Sequence, residues 1–112
     1  MRCLPMFTYA KKALEKISTG LKTKYPQNII AVIAFGSRIR GDHTGESDFD
    51  VLVIVNERSK EIEEGIIDVF VGEEMNSGVC FDPVIKTEES FELEKRNHTP
   101  FYENIVEEGV PL

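Results

Sequence analysis

The chain has 112 residues, 41% of them hydrophobic and 29% charged, which is ordinary for a globular domain in water. That length allows one hydrophobic core but not separate catalytic and substrate-binding domains, so we expect a single domain over residues 1–112. No apolar run approaches the roughly 20 residues that a membrane helix needs, and the N-terminus lacks the apolar stretch of a signal peptide, which favours a cytoplasmic protein without membrane contact. Cys3 and Cys80 are too few for a disulfide framework and have no zinc-binding spacing, and we expect Cys80 in the core.

Charge is unevenly distributed along the chain. The net charge of −7 argues against direct nucleic-acid binding, because phosphate backbones are bound by an excess of Lys and Arg. Residues 1–40 carry eight basic side chains and one acidic one, a net +7, and the remainder carries −14. Such asymmetry can steer an anionic ligand or match an oppositely charged protein, although a solvated helix face is the simpler explanation for the lysines.

The hydrophobic pattern predicts elements in the order α, β, β, α, β, α, followed by a last short helix. Apolar residues at steps of three and four indicate an amphipathic first helix of about 18 residues that ends before Pro26. Two uninterrupted apolar runs, 29–35 and 49–55, are typical of strands that are covered on both faces. Asn56 is expected to cap the next helix, which covers residues 59–71.

The second half of the chain predicts one more strand and two short helices. The strand falls within 79–86, and Pro83 places it at an edge of the sheet or gives it an irregularity, because proline lacks an amide donor. A helix start at Thr87 leads into a short acidic helix over 90–97, and a last helix covers about 101–107.

Between the first two strands lies a stretch suited to binding phosphate. Gly36 lets the backbone approach a ligand closely, and the hydroxyl of Ser37 and the amide groups of the turn can hold phosphate oxygens. Arg38 and Arg40 add charge-assisted donors for the same oxygens. A phosphate-bearing substrate is therefore expected at the end of the first strand.

The second strand begins with a pair of carboxylates. Asp48 and Asp50 project from one side of that strand and repel each other unless a cation lies between them. Mg²⁺ is the expected cation, since it prefers oxygen ligands and is commonly shared with substrate phosphates. Asp82 is the candidate ligand of a second Mg²⁺ that activates an attacking hydroxyl, although an aspartate before proline is also a common turn residue. These parts predict phosphoryl or nucleotidyl transfer.

The same residues carry a resemblance to a known superfamily. Gly36 and Ser37, ten intervening residues and then Asp48-x-Asp50, in the fuller form Gly-Ser-Arg-x-Arg-Gly at 36–41 and Ser-Asp-x-Asp at 47–50, resemble the signature of DNA polymerase β-like nucleotidyltransferases. The short chain is similar to the minimal nucleotidyltransferases of that superfamily.

The resemblance implies a fold and a set of site residues. The implied fold is α/β (α+β), a small mixed twisted sheet flanked by helices, with ATP or another NTP and Mg²⁺, two ions in the full site, at the strand ends. Asp48, Asp50 and Asp82 are implied as catalytic metal ligands. The candidate nucleotide-binding residues are Gly36, Ser37, Arg38, Arg40 and Ser47.

The resemblance also implies a function and leaves alternatives open. Many minimal relatives are similar to antitoxins paired with a small helical HEPN protein, and some transfer AMP from ATP to a tyrosine of that toxin. We therefore expect transfer of NMP, AMP in the first instance, to a hydroxyl of a protein partner. The alternatives are a catalytically weak or inactive antitoxin that acts by contact, and modification of a small molecule as in aminoglycoside-modifying relatives, with a homodimer supplying the missing wall of the site.

Overall fold

The helices and strands follow one another in the order that the apolar pattern predicts, with one short further strand after the last helix. A computed structural model describes residues 4–36 and 48–112, with side chains from residue 10 onward. The helices and strands in the described part are α1 Leu4–Lys24, β1 Ile29–Phe35, β2 Phe49–Val55, α2 Lys60–Ser77, β3 Phe81–Thr87, α3 Glu88–Arg96, α4 Pro100–Glu108 and β4 Val110–Pro111. The bounds of β1 and β2 agree with the prediction, α1 and α2 are longer than predicted, and β4 was not predicted.

The strands form one sheet of mixed direction, in the order β3-β2-β1-β4. β1 pairs antiparallel with both β2 and β4, whereas β2 and β3 are parallel and α2 provides the crossover between them. The predicted fold class, a small mixed twisted sheet flanked by helices, is confirmed.

Helices cover both faces of the sheet. On one face, α1 and α2 pack on the strands through a cluster that includes Leu14, Ile17 and Ile66, all fully buried. On the other face, Leu52 and Ile54 of β2 pack with Ile105 of α4, and Phe91 of α3 lies against them. The carboxylates described below lie at one end of this second face.

The prediction of the cap of α2 is wrong for a clear structural reason. Ser59, not Asn56, caps α2: its hydroxyl accepts a hydrogen bond from the Ile62 amide at 3.2 Å. The side chain of Asn56 instead joins the ends of two strands, accepting from the side-chain amide of Asn28 at 3.2 Å and from the Glu57 backbone at 2.8 Å. A sequence pattern shows that both residues are able to cap, but not which one the chain has turned toward the helix.

Burial also departs from the prediction at two places. β1 is not covered on both faces along its whole length. Ile30 is 46% exposed near the margin of the sheet, where β4 pairs only with Ile33 and Ala34. Cys80 is exposed rather than part of the core. It precedes the first residue of β3, and its carbonyl, not its side chain, faces β2, accepting from the Phe49 amide at 3.0 Å.

The prediction that Pro83 lies in an edge strand is confirmed, and β3 keeps its register through it, with Pro83 opposite Val51. Peptide groups alternate in direction along a strand. Because the carbonyl of Cys80 points to β2, those of Phe81 and Pro83 point outward, away from the sheet. The ring nitrogen of Pro83 therefore occupies a position where no ladder hydrogen bond is required.

Among residues 4–36 and 48–112, every helix is too short or too polar to span a bilayer.

Candidate active site

Gly36 directly follows β1 and has a backbone conformation that favours glycine. Its φ is +93°, and a Cβ atom added there would lie 2.1 Å from Oδ2 of Asp50. Any other residue would combine left-handed strain with a collision against a carboxylate. The glycine of the signature therefore leaves room for the β2 carboxylate beside the turn.

Asp50 and Asp82 lie opposite each other on neighbouring strands. They are direct register partners in the parallel pair of β2 and β3. Laterally paired residues project from the same face, and Asp48 lies on that side as well, two positions before Asp50. Asp48 and Asp82 are exposed and Asp50 is half-buried. The fold thus brings three carboxylates to one end of one sheet face, beside Gly36.

An aromatic pair closes one side of this end of the face. Phe35 is the register partner of Asp50 on the β1 side, and its ring meets that of Phe101 edge to face, with centroids 5.5 Å apart. Both rings belong to the partly buried layer around Leu52. On the opposite side β3 is the last strand of the sheet among residues 4–36 and 48–112, so no described strand lies beyond Asp82. Of the described residues, Phe35 and Phe101 close the β1 side of the site, and none adds a strand on the β3 side.

The comparisons with known proteins agree with this geometry. A family described as "Nucleotidyltransferase domain" matches residues 14–112. The chain belongs to the nucleotidyltransferase domain family. It is 33% identical over 99 residues to a protein of Methanocaldococcus jannaschii named "Putative protein adenylyltransferase MJ0604", an alignment that covers 88% of this chain and 93% of that protein.

The fold of this nucleotidyltransferase domain is also similar to a solved structure. A crystal structure of a putative nucleotidyltransferase from Sulfolobus solfataricus superimposes with a TM-score of 0.56, covering 89% of this chain and 76% of that one at 22% identity. That likeness concerns the fold alone. Family membership and the archaeal relative together make the chain an enzyme that transfers a nucleoside monophosphate from an NTP.

The carboxylates suit a hard divalent cation by their chemistry and their positions. In the described residues 4–36 and 48–112, the side chains of three or more His, Cys, Asp or Glu do not converge on a point where they could hold a metal ion. The fit rests instead on the strand register, which puts Asp82 opposite Asp50, and on the space that Gly36 leaves beside the Asp50 carboxylate. Like charges at adjacent positions repel, and side chains that turn toward a shared cation relieve that repulsion.

Several predicted residues of the nucleotidyltransferase signature lie outside the described part of the chain. These are Ser37, Arg38, Arg40 and Ser47. Their assignment to nucleotide binding stays a prediction from the sequence.

One contact at the site was missed by sequence reasoning. Glu74 belongs to an acidic run, which is typical of a solvated helix face, but its carboxylate accepts a hydrogen bond from the backbone N–H of Phe81, the residue before Asp82. No local pattern indicates this contact, because it depends on how the end of α2 meets the start of β3.

Proposed function

We propose that this nucleotidyltransferase moves AMP from ATP to a hydroxyl group of a protein partner, with Mg²⁺ as its metal: the hydroxyl oxygen bonds to the α-phosphorus, the bond from that phosphorus to the β-phosphate oxygen breaks, and pyrophosphate and the hydroxyl proton are released. The observation that supports it best is the register of Asp50 and Asp82, which sets a third carboxylate beside the signature pair. The similarity to a protein that carries the name of a protein adenylyltransferase supports the choice of AMP and of a protein acceptor.

In this proposal each part of the site has a separate task. Asp48 and Asp50 would hold the ion that the triphosphate also binds, and Asp82 with Asp50 would hold the second. When bound, Mg²⁺ supplies positive charge that stabilises the developing negative charge on phosphate oxygens and lowers the pKa of a coordinated hydroxyl. Gly36 keeps the backbone clear of the Asp50 carboxylate. The triphosphate is bound by Ser37, Arg38, Arg40 and Ser47.

The acceptor enters, in this proposal, from the open side of the site. Asp82 is exposed on the last strand of the sheet, so a large acceptor meets no further strand there, whereas Phe35 and Phe101 close the other side. A tyrosine on a partner protein can reach an open edge more easily than a closed cleft. We propose a small helical protein of the HEPN class as this partner, in a toxin–antitoxin pair of the cytoplasm.

The experiment is a transfer assay with ATP labelled on the α-phosphate or on the γ-phosphate, Mg²⁺, and the product of the gene next to this chain's gene. Labelling of the partner from the α-phosphate alone, lost in the variant that combines Asp48→Ala with Asp50→Ala, supports AMP transfer. Absence of label, or label that survives in the double variant, contradicts it. If the double variant still neutralises the partner, the chain acts by contact, and label in a low-molecular-weight product would indicate a small-molecule acceptor.

A further inference from the structure

The start of β3 is held by a carboxylate from α2. Oε2 of Glu74 accepts a hydrogen bond from the backbone N–H of Phe81 at 2.8 Å, in a part-buried setting. The Phe81 ring is 5% exposed and packs against Phe70 of the same helix, with centroids 5.8 Å apart. The residue that follows is Asp82. Two contacts with α2 therefore fix the backbone immediately before the third carboxylate.

This hydrogen bond replaces one that the sheet does not provide. The peptide group of Phe81 points away from β2, because the preceding carbonyl, that of Cys80, accepts from Phe49 of β2. As β3 is the last strand of the sheet, no further strand in the described part of the chain offers an acceptor on that side. A part-buried N–H without an acceptor is unfavourable, so we expect the strand start to shift toward water if Glu74 is lost. Pro83, the next outward residue, has no N–H to satisfy.

We propose that Glu74 is a positioning residue for Asp82. By accepting a hydrogen bond from the Phe81 amide, Glu74 keeps the start of β3 paired with β2. Asp82 therefore stays opposite Asp50. This inference rests on the proposed function, in which Asp82 is the third metal-binding carboxylate. Glu74 itself does not touch the nucleotide or the metal in this assignment.

The chain offers a conservative variant and a matched control. Glu74→Gln keeps a side-chain oxygen that can accept from Phe81, whereas Glu74→Ala does not. Ser77→Ala is the control, because its hydroxyl accepts from the Val79 amide at 3.2 Å in the same junction between α2 and β3, but farther from Asp82. Both alanine variants remove one side-chain acceptor from this junction, and only one of them affects the residue next to Asp82.

The test combines AMP-transfer kinetics with nuclear magnetic resonance. Glu74→Ala is expected to lower kcat by about 10- to 100-fold, as for a displaced catalytic group, whereas Glu74→Gln and Ser77→Ala stay within about twofold of the wild type. In an Asp82→Asn background, Glu74→Ala should cause no further loss. The inference would be overturned if Glu74→Ala lowered kcat equally in the wild-type and Asp82→Asn backgrounds. It would also be overturned if Ser77→Ala lowered kcat as much as Glu74→Ala, or if Glu74→Ala kept full activity.

A second readout does not depend on catalysis. Mn²⁺ added to the isotopically labelled protein broadens amide signals near its binding site, and the signals of Asp50 and Asp82 are compared in each variant. We expect Glu74→Ala to weaken the broadening at Asp82 and to speed hydrogen exchange of the Phe81 amide, and Glu74→Gln to restore both. If the wild type binds Mn²⁺ there but transfers no AMP, the proposed function fails while the role of Glu74 stands. Unchanged broadening and exchange in Glu74→Ala would refute that role.

Discussion

Gly36 and Asp50 face each other across the end of the β1–β2 pair, so closely that a Cβ on Gly36 would lie 2.1 Å from the Asp50 carboxylate. This relationship explains why the turn and the carboxylate pair occur together in the sequence: the glycine makes room for the carboxylate. The same relationship makes the site sensitive to a single methyl group.

Gly36→Ala should therefore lower AMP transfer by about 100-fold or more, because the new methyl group displaces the Asp50 carboxylate. The matched control is Gly78→Ala, since Gly78 also has a positive φ, +80°, but a Cβ there would have no atom within 4 Å. Both variants should lose about 1–2 kcal/mol of stability from backbone strain. Thermal unfolding and transfer rates of the two proteins check this; if Gly78→Ala is as inactive as Gly36→Ala, strain rather than displacement of Asp50 is responsible.

Replacing either of two glycines of α2 with alanine should change the stability of the protein, in opposite directions for the two positions. A Cβ on Gly65 would lie 1.7 Å from Oη and 2.8 Å from Cζ of Tyr25, whereas one on Gly72 would have no atom within 4 Å. Gly65→Ala should destabilise the protein by about 1–3 kcal/mol through overpacking. Gly72→Ala should stabilise it by about 0.5–1 kcal/mol through helix propensity. Urea unfolding of both variants measures the difference, and a stabilised Gly65→Ala protein would show that Tyr25 does not pack into the helix as described.

Asp82→Asn should lower the activity of the protein without lowering its stability. Removing one of two like charges at adjacent positions should leave stability unchanged or raise it by about 0.2–1 kcal/mol in the absence of divalent metal. Transfer should fall by about 100-fold or more if Asp82 holds a catalytic ion whose charge contributes several kcal/mol to the transition state. Asp68→Asn is the control, because Asp68 is an exposed acid on α2, in the layer across the sheet from the carboxylates. Wild-type activity in Asp82→Asn would remove this residue from the site.

The hydrogen-bonded ion pair of Lys86 and Glu94 should make the free energy of unfolding depend on pH. Lys86 and Glu94 approach to 2.6 Å, and the Thr99 hydroxyl donates to Glu94 at 2.7 Å. Burial raises the pKa of Glu94, but the hydrogen bonds from Lys86 and Thr99 and the charge of Lys86 outweigh it, so the pKa lies below its usual value. A carboxyl whose pKa is lower in the folded chain stabilises that chain above the unfolded pKa of about 4.3, and the contribution is lost as the pH falls through the folded pKa.

Glu94→Gln should accordingly cost about 1–2 kcal/mol near neutral pH and much less in acid, where the wild-type carboxyl is protonated. The measurement is the free energy of unfolding of both proteins from neutral pH down to about pH 3, a range that spans the usual carboxyl pKa. A difference between the two proteins that does not shrink in acid would show that Glu94 acts by packing rather than by charge.

The sequence alone was sufficient for the elements whose cause is local. The bounds of β1 and β2 were predictable because their apolar runs are continuous, and the start of α3 because Thr87 is a strong cap whose hydroxyl accepts from the Ser90 amide. Asn56 and Cys80 were not predictable in the same way: capping and burial depend on which neighbours the folded chain provides. The two-residue β4 pairs with β1 from the far end of the chain, and its own residues carry no strand pattern.

For the candidate site, the signature indicated the chemistry of Gly36, Asp48 and Asp50, because a glycine turn and an alternating carboxylate pair are local features. Only the tertiary structure decided that Asp82 lies opposite Asp50, since α2 and the turn after it set the register of β3. The contact of Glu74 with Phe81 has the same origin: it exists because α2 ends beside an edge strand with an outward amide. Residue types and spacing determine which groups are available, and long-range packing determines which of them meet.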